Sequence, residues 1–167
     1  MGFPVWGTLI GLTKASRPVL GLMNQPFTRE RYWNSDAGAH YRGPEGESTI
    51  RTRSCAAFEQ AILSTTSPDL FVPGDEDDAF HRLKDRVQMT RYGADCYAYC
   101  RLAAGHIDLV AETGLNAYDI LPLIPIIEHA GGRITSWDGG SATSGGRILA
   151  SGDPALHEEV LKLLANN

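Results

Sequence analysis

Residues 91–132, RYGADCYAYCRLAAGHIDLVAETGLNAYDILPLIPIIEHAGG, constrain the fold more than any other stretch of the chain. They read as turn, helix, strand, turn, helix. Arg91-Tyr92-Gly93 closes a short apolar run and turns into a helix that starts at Asp95. Small and aromatic residues fill that helix, and Gly105 is a suitable C-terminal stop. Ile107, Leu109 and Ala111 then alternate with Asp108, Val110 and Glu112, the period of a strand. Gly114 and Asn116 turn the chain into a second helix near Asp119, and Gly131-Gly132 ends it.

This arrangement gives the carboxylates their interest. Asp95 and Asp119 fall at helix N-termini, where the backbone dipole favours negative charge. Glu112 falls at a strand end, and open α/β folds collect ligands outside the carboxyl ends of their strands. Three acids so placed can face one pocket. The plainer reading makes Asp95 and Asp119 helix caps and leaves Glu112 in solvent.

Residues 3–43 alternate apolar runs with turn signals and predict an antiparallel meander. Trp6–Leu12 and Val19–Met23 flank a hairpin turn at Lys14–Arg17, and a second turn at Asp36-Ala37-Gly38 separates Arg31–Ser35 from Ala39–Arg42. Trp6, Trp33 and Tyr41 read as sheet-packing aromatics. Gly43–Gly46 reads as a surface loop, with Arg51 and Arg53 solvated beyond it. Ala61–Thr66 is a short strand ending in hydroxyls at the edge of the expected pocket. Asp75–Asp78 complement the positive end of a helix whose apolar face is Phe80, Leu83 and Val87. In the helix after Asp119, Pro122 sits in the first turn and Pro125 bends the helix. Arg133–Trp137 and Ile148–Ser151 are strands around a flexible Gly/Ser loop that matches neither P-loop nor dinucleotide spacing. Asp153 caps a terminal helix that begins at Pro154 and leaves His157 exposed.

The net charge of −5 argues against a general nucleic-acid or membrane-surface binder. No apolar run approaches the roughly 18 residues a bilayer span needs. Cys55, Cys96 and Cys100 form no disulfide framework and no zinc set, and buried thiols suit a reducing cytoplasm. The fold class expected is mixed α/β: one domain over 1–167, with an antiparallel portion over 1–60 and an αβα portion over 61–167.

Tyr118-Asp119-Ile120 followed by Glu128-His129-Ala130-Gly131-Gly132 resembles the C-terminal signature of the inositol monophosphatase family, an aromatic–Asp pair, an apolar helix and then E-x-A-G-G. Arg91-Tyr92-Gly93 with Asp95-Cys96-Tyr97 is similar to the histidinol-phosphate phosphatase branch. The resemblance covers nearly the whole chain, from Phe3-Pro4-Val5-Trp6-Gly7 onward. It implies the layered sugar-phosphatase architecture, a homodimer, and Mg2+-dependent hydrolysis of a small phosphate monoester. It carries a metal-ligand role onto Asp119 and substrate-binding roles onto Arg91, Gly93, Asp95 and Glu112. The family's first metal motif, D-P-I/L-D-G-T, occurs nowhere in the chain, so the catalytic residues have no counterpart. The expectation is a chain that starts just past that motif, binds Mg2+ poorly by itself, and exposes apolar surface around Phe3, Val5, Leu9 and Ile10. The alternatives are an inositol or related sugar phosphatase and a non-catalytic phosphatase-like scaffold.

Overall fold

The computed structural model describes residues 4–165, so Phe3 lies outside the described residues. Among these described residues, two five-stranded sheets and five α-helices stack in alternating layers. The first sheet is an antiparallel meander of β1 (Thr8–Lys14), β2 (Arg17–Gln25), β3 (Glu30–Ser35), β4 (Gly38–Gly43) and β5 (Gly46–Ile50), in chain order. The turn Ala15-Ser16 places both residues at positive φ, 50° and 62°, which matches the twist of a two-residue hairpin. Gly43–Gly46 is also a two-residue hairpin, as is Ser35–Gly38, and not a loop: Gly43 pairs with Gly46 and leads into β5, a strand that the polar sequence Gly-Glu-Ser-Thr does not announce.

The second sheet has the order β7-β6-β8-β10-β9. Its strands are β6 (Ile62–Thr65), β7 (Met89–Tyr92), β8 (Leu109–Leu115), β9 (Arg133–Ser136) and β10 (Gly146–Ser151). β6 pairs parallel with β7 and β8, while β10 pairs antiparallel with β8 and β9. Between the sheets lie α2 (Asp95–Ala103), α3 (Ala117–Ile120) and α4 (Ile124–His129). On the far side of the second sheet lie α1 (Asp75–Lys84) and α5 (Pro154–Ala165). One apolar core joins Met23, Tyr32, Tyr99, Leu102, Ile126 and Val110 between the sheets, and another joins Phe80, Leu83, Leu109, Leu149 and Val160 beyond them. A central strand covered on both faces explains why Leu109–Thr113 are all buried despite their alternating polarity.

Four further expectations are corrected. The single helix after Asp119 is two: Pro122 interrupts it, and Pro125 stands in the first turn of α4, where its missing N–H costs no hydrogen bond. Arg53 is not free in solvent; its guanidinium donates through Nε at 2.7 Å and through Nη2 to Asp108, a residue only 1% exposed. His157 is fully buried, hydrogen-bonded to Ser151 and Thr135 at 2.9 Å each. Trp6 is not a core aromatic; it is 58% exposed, while Trp33 stacks on His40 and Tyr41 packs on Tyr32.

The outer face of the first sheet has no layer over it among the described residues. Register places Ile10, Leu12, Leu20 and Leu22 together on that face, and the first three are exposed. Val5 and Leu9, expected to share this exposure, are half-buried, and Leu9 packs inward against the core.

Candidate active site

Three elements meet at one point, with Glu112 in the middle of β8 and not at its end as expected. β6 delivers Thr66 just past its last residue, β8 delivers Glu112, and α2 presents Asp95 and Tyr99 from its first turns. α3 adds Asp119, and the segment before β1 adds Trp6. Together they border a cleft of about 290 Å3, which Gly7, Leu9, Cys96, Leu115 and Leu123 complete. The three carboxylates therefore meet at one site although 24 positions separate Asp95 from Asp119.

Gly93 makes this possible from outside the cleft. Its φ of 84° ends β7, and its N–H donates to the carbonyls of Thr65 (3.2 Å) and Thr66 (3.0 Å), turning the chain into α2. A side chain would strain that backbone. Asp95 follows with a φ of 45° and is the first residue of α2. It makes no capping hydrogen bond. Its exposed carboxylate instead meets Thr66 Oγ1 at 3.3 Å. Arg91 lies on β7, the edge strand of the second sheet, with its side chain exposed and outside the cleft lining. The structure thus brings Asp95, Glu112 and Asp119 together, uses Gly93 as a turn, and leaves Arg91 apart.

Glu112 is buried rather than solvated, at 2% exposure. Oε1 accepts from Thr66 N (2.9 Å) and from the Thr66 hydroxyl, and Oε2 accepts from Tyr99 OH (2.9 Å). Burial pushes its carboxyl above the usual range, the three donors pull it back, and the Asp95 charge adds to the rise. Burial and the Glu112 charge both hold the Tyr99 hydroxyl protonated, so it remains a donor. The Thr66 hydroxyl has one proton and lies much nearer Glu112 than Asp95, so Asp95 keeps free acceptor capacity facing the cleft. Glu112 is therefore a scaffold for the wall and Asp95 is its open charge.

Asp119 belongs to the first turn of α3, where Oδ2 accepts the Asn116 N–H at 2.8 Å and Oδ1 is left over. Among the described residues no group of three His, Cys, Asp or Glu side chains is placed to hold a metal ion. Mg2+ requires six oxygen ligands in near-octahedral array. The described residues do not fit a complete site of that kind; Asp119 offers one carboxylate oxygen. What the cleft can do with its own groups is bind a small polar molecule, pair a cation with Asp95 and accept hydroxyl hydrogens.

Sequence reasoning had placed Thr66 at the edge of the pocket, but it missed Tyr99 and Trp6. Tyr99 sits in an apolar helix with nothing to distinguish it from a core residue. Trp6 precedes a strand, and only the tertiary path of that segment brings it to the cleft.

Comparison with known proteins follows the same lines. The profile of the inositol monophosphatase family matches residues 1–167. A bifunctional phosphatase, IMPL2, chloroplastic, of Arabidopsis thaliana is 43% identical over 98% of this chain and 49% of its own length. A histidinol-phosphatase of Mycobacterium tuberculosis is 32% identical over 98% of this chain and 63% of its own. The solved structure of an inositol monophosphatase from Zymomonas mobilis superposes with a TM-score of 0.91 at 39% identity, over 99% of this chain and 64% of that one. The chain thus spans about half to two thirds of the length of these relatives. A profile match end to end, a shared fold and identities above 30% agree, and the chain belongs to the inositol monophosphatase family.

Proposed function

We propose that this chain forms the alcohol-binding part of a phosphomonoesterase acting on L-histidinol phosphate, in histidine biosynthesis. The observation that carries the reading is the unpaired Asp95 carboxylate in the cleft, held beside Glu112. Histidinol phosphate carries an ammonium group, and a cation meeting Asp95 in the cleft gains a charge-assisted hydrogen bond. The name of the Mycobacterium tuberculosis relative supports the same substrate. The reading includes Mg2+ as the cation at the phosphate end, with Asp119 as one of its ligands, and a homodimeric cytoplasmic enzyme. Arg91 and Gly93 then act on the substrate only indirectly, through the position of α2. A second reading, an inositol 1-phosphate phosphatase, draws on the Zymomonas mobilis likeness. A third, a non-catalytic scaffold, draws on the single metal-ligating carboxylate.

Steady-state kinetics with Mg2+, on this chain joined to the family's D-P-I/L-D-G-T segment, separate the three. In the first reading L-histidinol phosphate is preferred over inositol 1-phosphate, and Asp95→Asn lowers kcat/KM for histidinol phosphate about 10- to 100-fold, the equivalent of one charged hydrogen bond. An aryl phosphate, which lacks the ammonium, changes little. Equal losses on both substrates make Asp95 structural and remove the support for histidinol phosphate. A preference for inositol 1-phosphate establishes the second reading, and no turnover of any of these esters the third.

A further inference from the structure

Trp6 is the largest group at the cleft without an assigned part. It is exposed, lines the cleft with Asp95 and Glu112, and stacks on no aromatic ring and no arginine among the described residues. An indole left open to water forfeits the burial that normally recruits tryptophan. Its position is nevertheless defined by its neighbour. A Cβ on Gly7 would come within 2.9 Å of Cys96 Sγ and 3.0 Å of Met23 Sδ, so the glycine lets the segment before β1 lie close to α2 without displacing these side chains. The close approach at Gly7 sets the indole on the rim of the same cleft that Asp95, at the start of α2, also borders.

The cleft thus pairs an indole with carboxylates. An aromatic face attracts a cation or a flat electron-poor ring, and does so more strongly when the site is partly desolvated. We infer that Trp6 is a specificity-determining platform, which stacks the imidazole or imidazolium of the substrate while Asp95 takes the ammonium. The inference rests on the histidinol phosphate reading and extends it: a ligand carrying both a flat nitrogen heterocycle and an ammonium engages two walls, whereas a polyol engages neither charge nor ring in this way.

The test measures binding of the alcohol itself, L-histidinol, which needs neither metal nor turnover. Trp33→Phe with Trp137→Phe leaves Trp6 as the one indole of the three in the chain. Titrating L-histidinol into that variant quenches and shifts its fluorescence, and myo-inositol does not. By calorimetry in the otherwise unaltered chain, Trp6→Ala weakens L-histidinol about 3- to 30-fold, the range of a cation–π contact, while Trp6→Phe keeps most of the affinity. Binding of L-histidinol that Asp95→Asn weakens but Trp6→Ala does not overturns the platform and leaves the substrate reading standing. Failure of the chain to prefer L-histidinol over myo-inositol overturns both. Loss in Trp6→Ala that is matched for myo-inositol assigns Trp6 to the shape of the cleft and overturns the platform.

Discussion

His157 shows how one residue in an outer helix ties that helix to a sheet. The Thr135 hydroxyl donates to the Ser136 carbonyl at 2.7 Å, so it accepts from His157 Nε2–H, and Nδ1 accepts from Ser151. All three polar groups are satisfied with the ring neutral. Burial, with Arg133 nearby, pulls the imidazole down to about 4 against an opposing pull from Glu158. A base whose folded pKa is depressed stabilises the fold fully above its unfolded value of 6.5. That stability is lost as pH falls towards 4 and amounts to up to about 3 kcal/mol. Glu112 runs the other way. Its raised carboxyl favours the fold most below its ordinary range, and the advantage fades as pH rises through the folded value. Denaturant midpoints measured from pH 7 to pH 4 therefore fall more steeply for the wild type than for His157→Gln. The variant is weaker at pH 7 and flatter below it. Parallel curves would show that His157 does not carry the acid sensitivity.

At the scale of elements, the join between the two sheets depends on Asp108. Its carboxylate accepts from Arg53, in the linker after β5, and from the Ile62 N–H at the start of β6 at 2.8 Å. Its carbonyl accepts from Gly152 N–H just after β10. One residue before β8 thereby fastens the linker, β6 and the end of β10. Asp108 is buried while the Arg53 side chain is 43% exposed, so removing the carboxylate leaves the Ile62 N–H without its partner and not a buried charge. Asp108→Ala is expected to cost about 2 kcal/mol in urea denaturation. The Arg53→Ala/Asp108→Ala double variant should cost less than the sum of the singles. Additive costs would show that the two side chains act independently.

On the scale of the whole molecule, the layers end unequally. α1 and α5 cover one face of the second sheet, and the outer face of the first sheet shows Ile10 and Leu12 at 56% and 58% exposure with Leu20 beside them. A contiguous apolar patch at a strand edge drives association. Sedimentation of this chain at high concentration should show species above the monomer and binding of a hydrophobic dye. Ile10→Lys with Leu12→Lys, whose side chains leave the core untouched, should suppress both. A wild type that stays monomeric and dye-free would contradict the expectation.

Local rules determined much of this protein. Turn residues and alternation specified the meander from Trp6 to Arg42, Gly105 and Gly131-Gly132 marked helix ends, and Asp153 with Pro154 opened the last helix, because each depends on backbone geometry within a few residues. The meeting of Asp95 and Asp119 was readable as well, since both stand at helix starts on one side of the layer; Glu112 joins them from the middle of β8 and not from the strand end the alternation suggested. The rest depended on contacts between distant segments. Whether Glu112, His157 and Arg53 meet water or partners was decided by which layers cover them. β5 forms because β4 offers it an edge, not because its polar residues favour a strand. Trp6 reaches the cleft because Gly7 allows one segment to lie against a helix that begins nearly 90 residues later. Sequence periodicity reports how a segment meets its nearest layer, but the second face of a strand and the far wall of a cleft are supplied by other parts of the chain, and only the tertiary structure decides them.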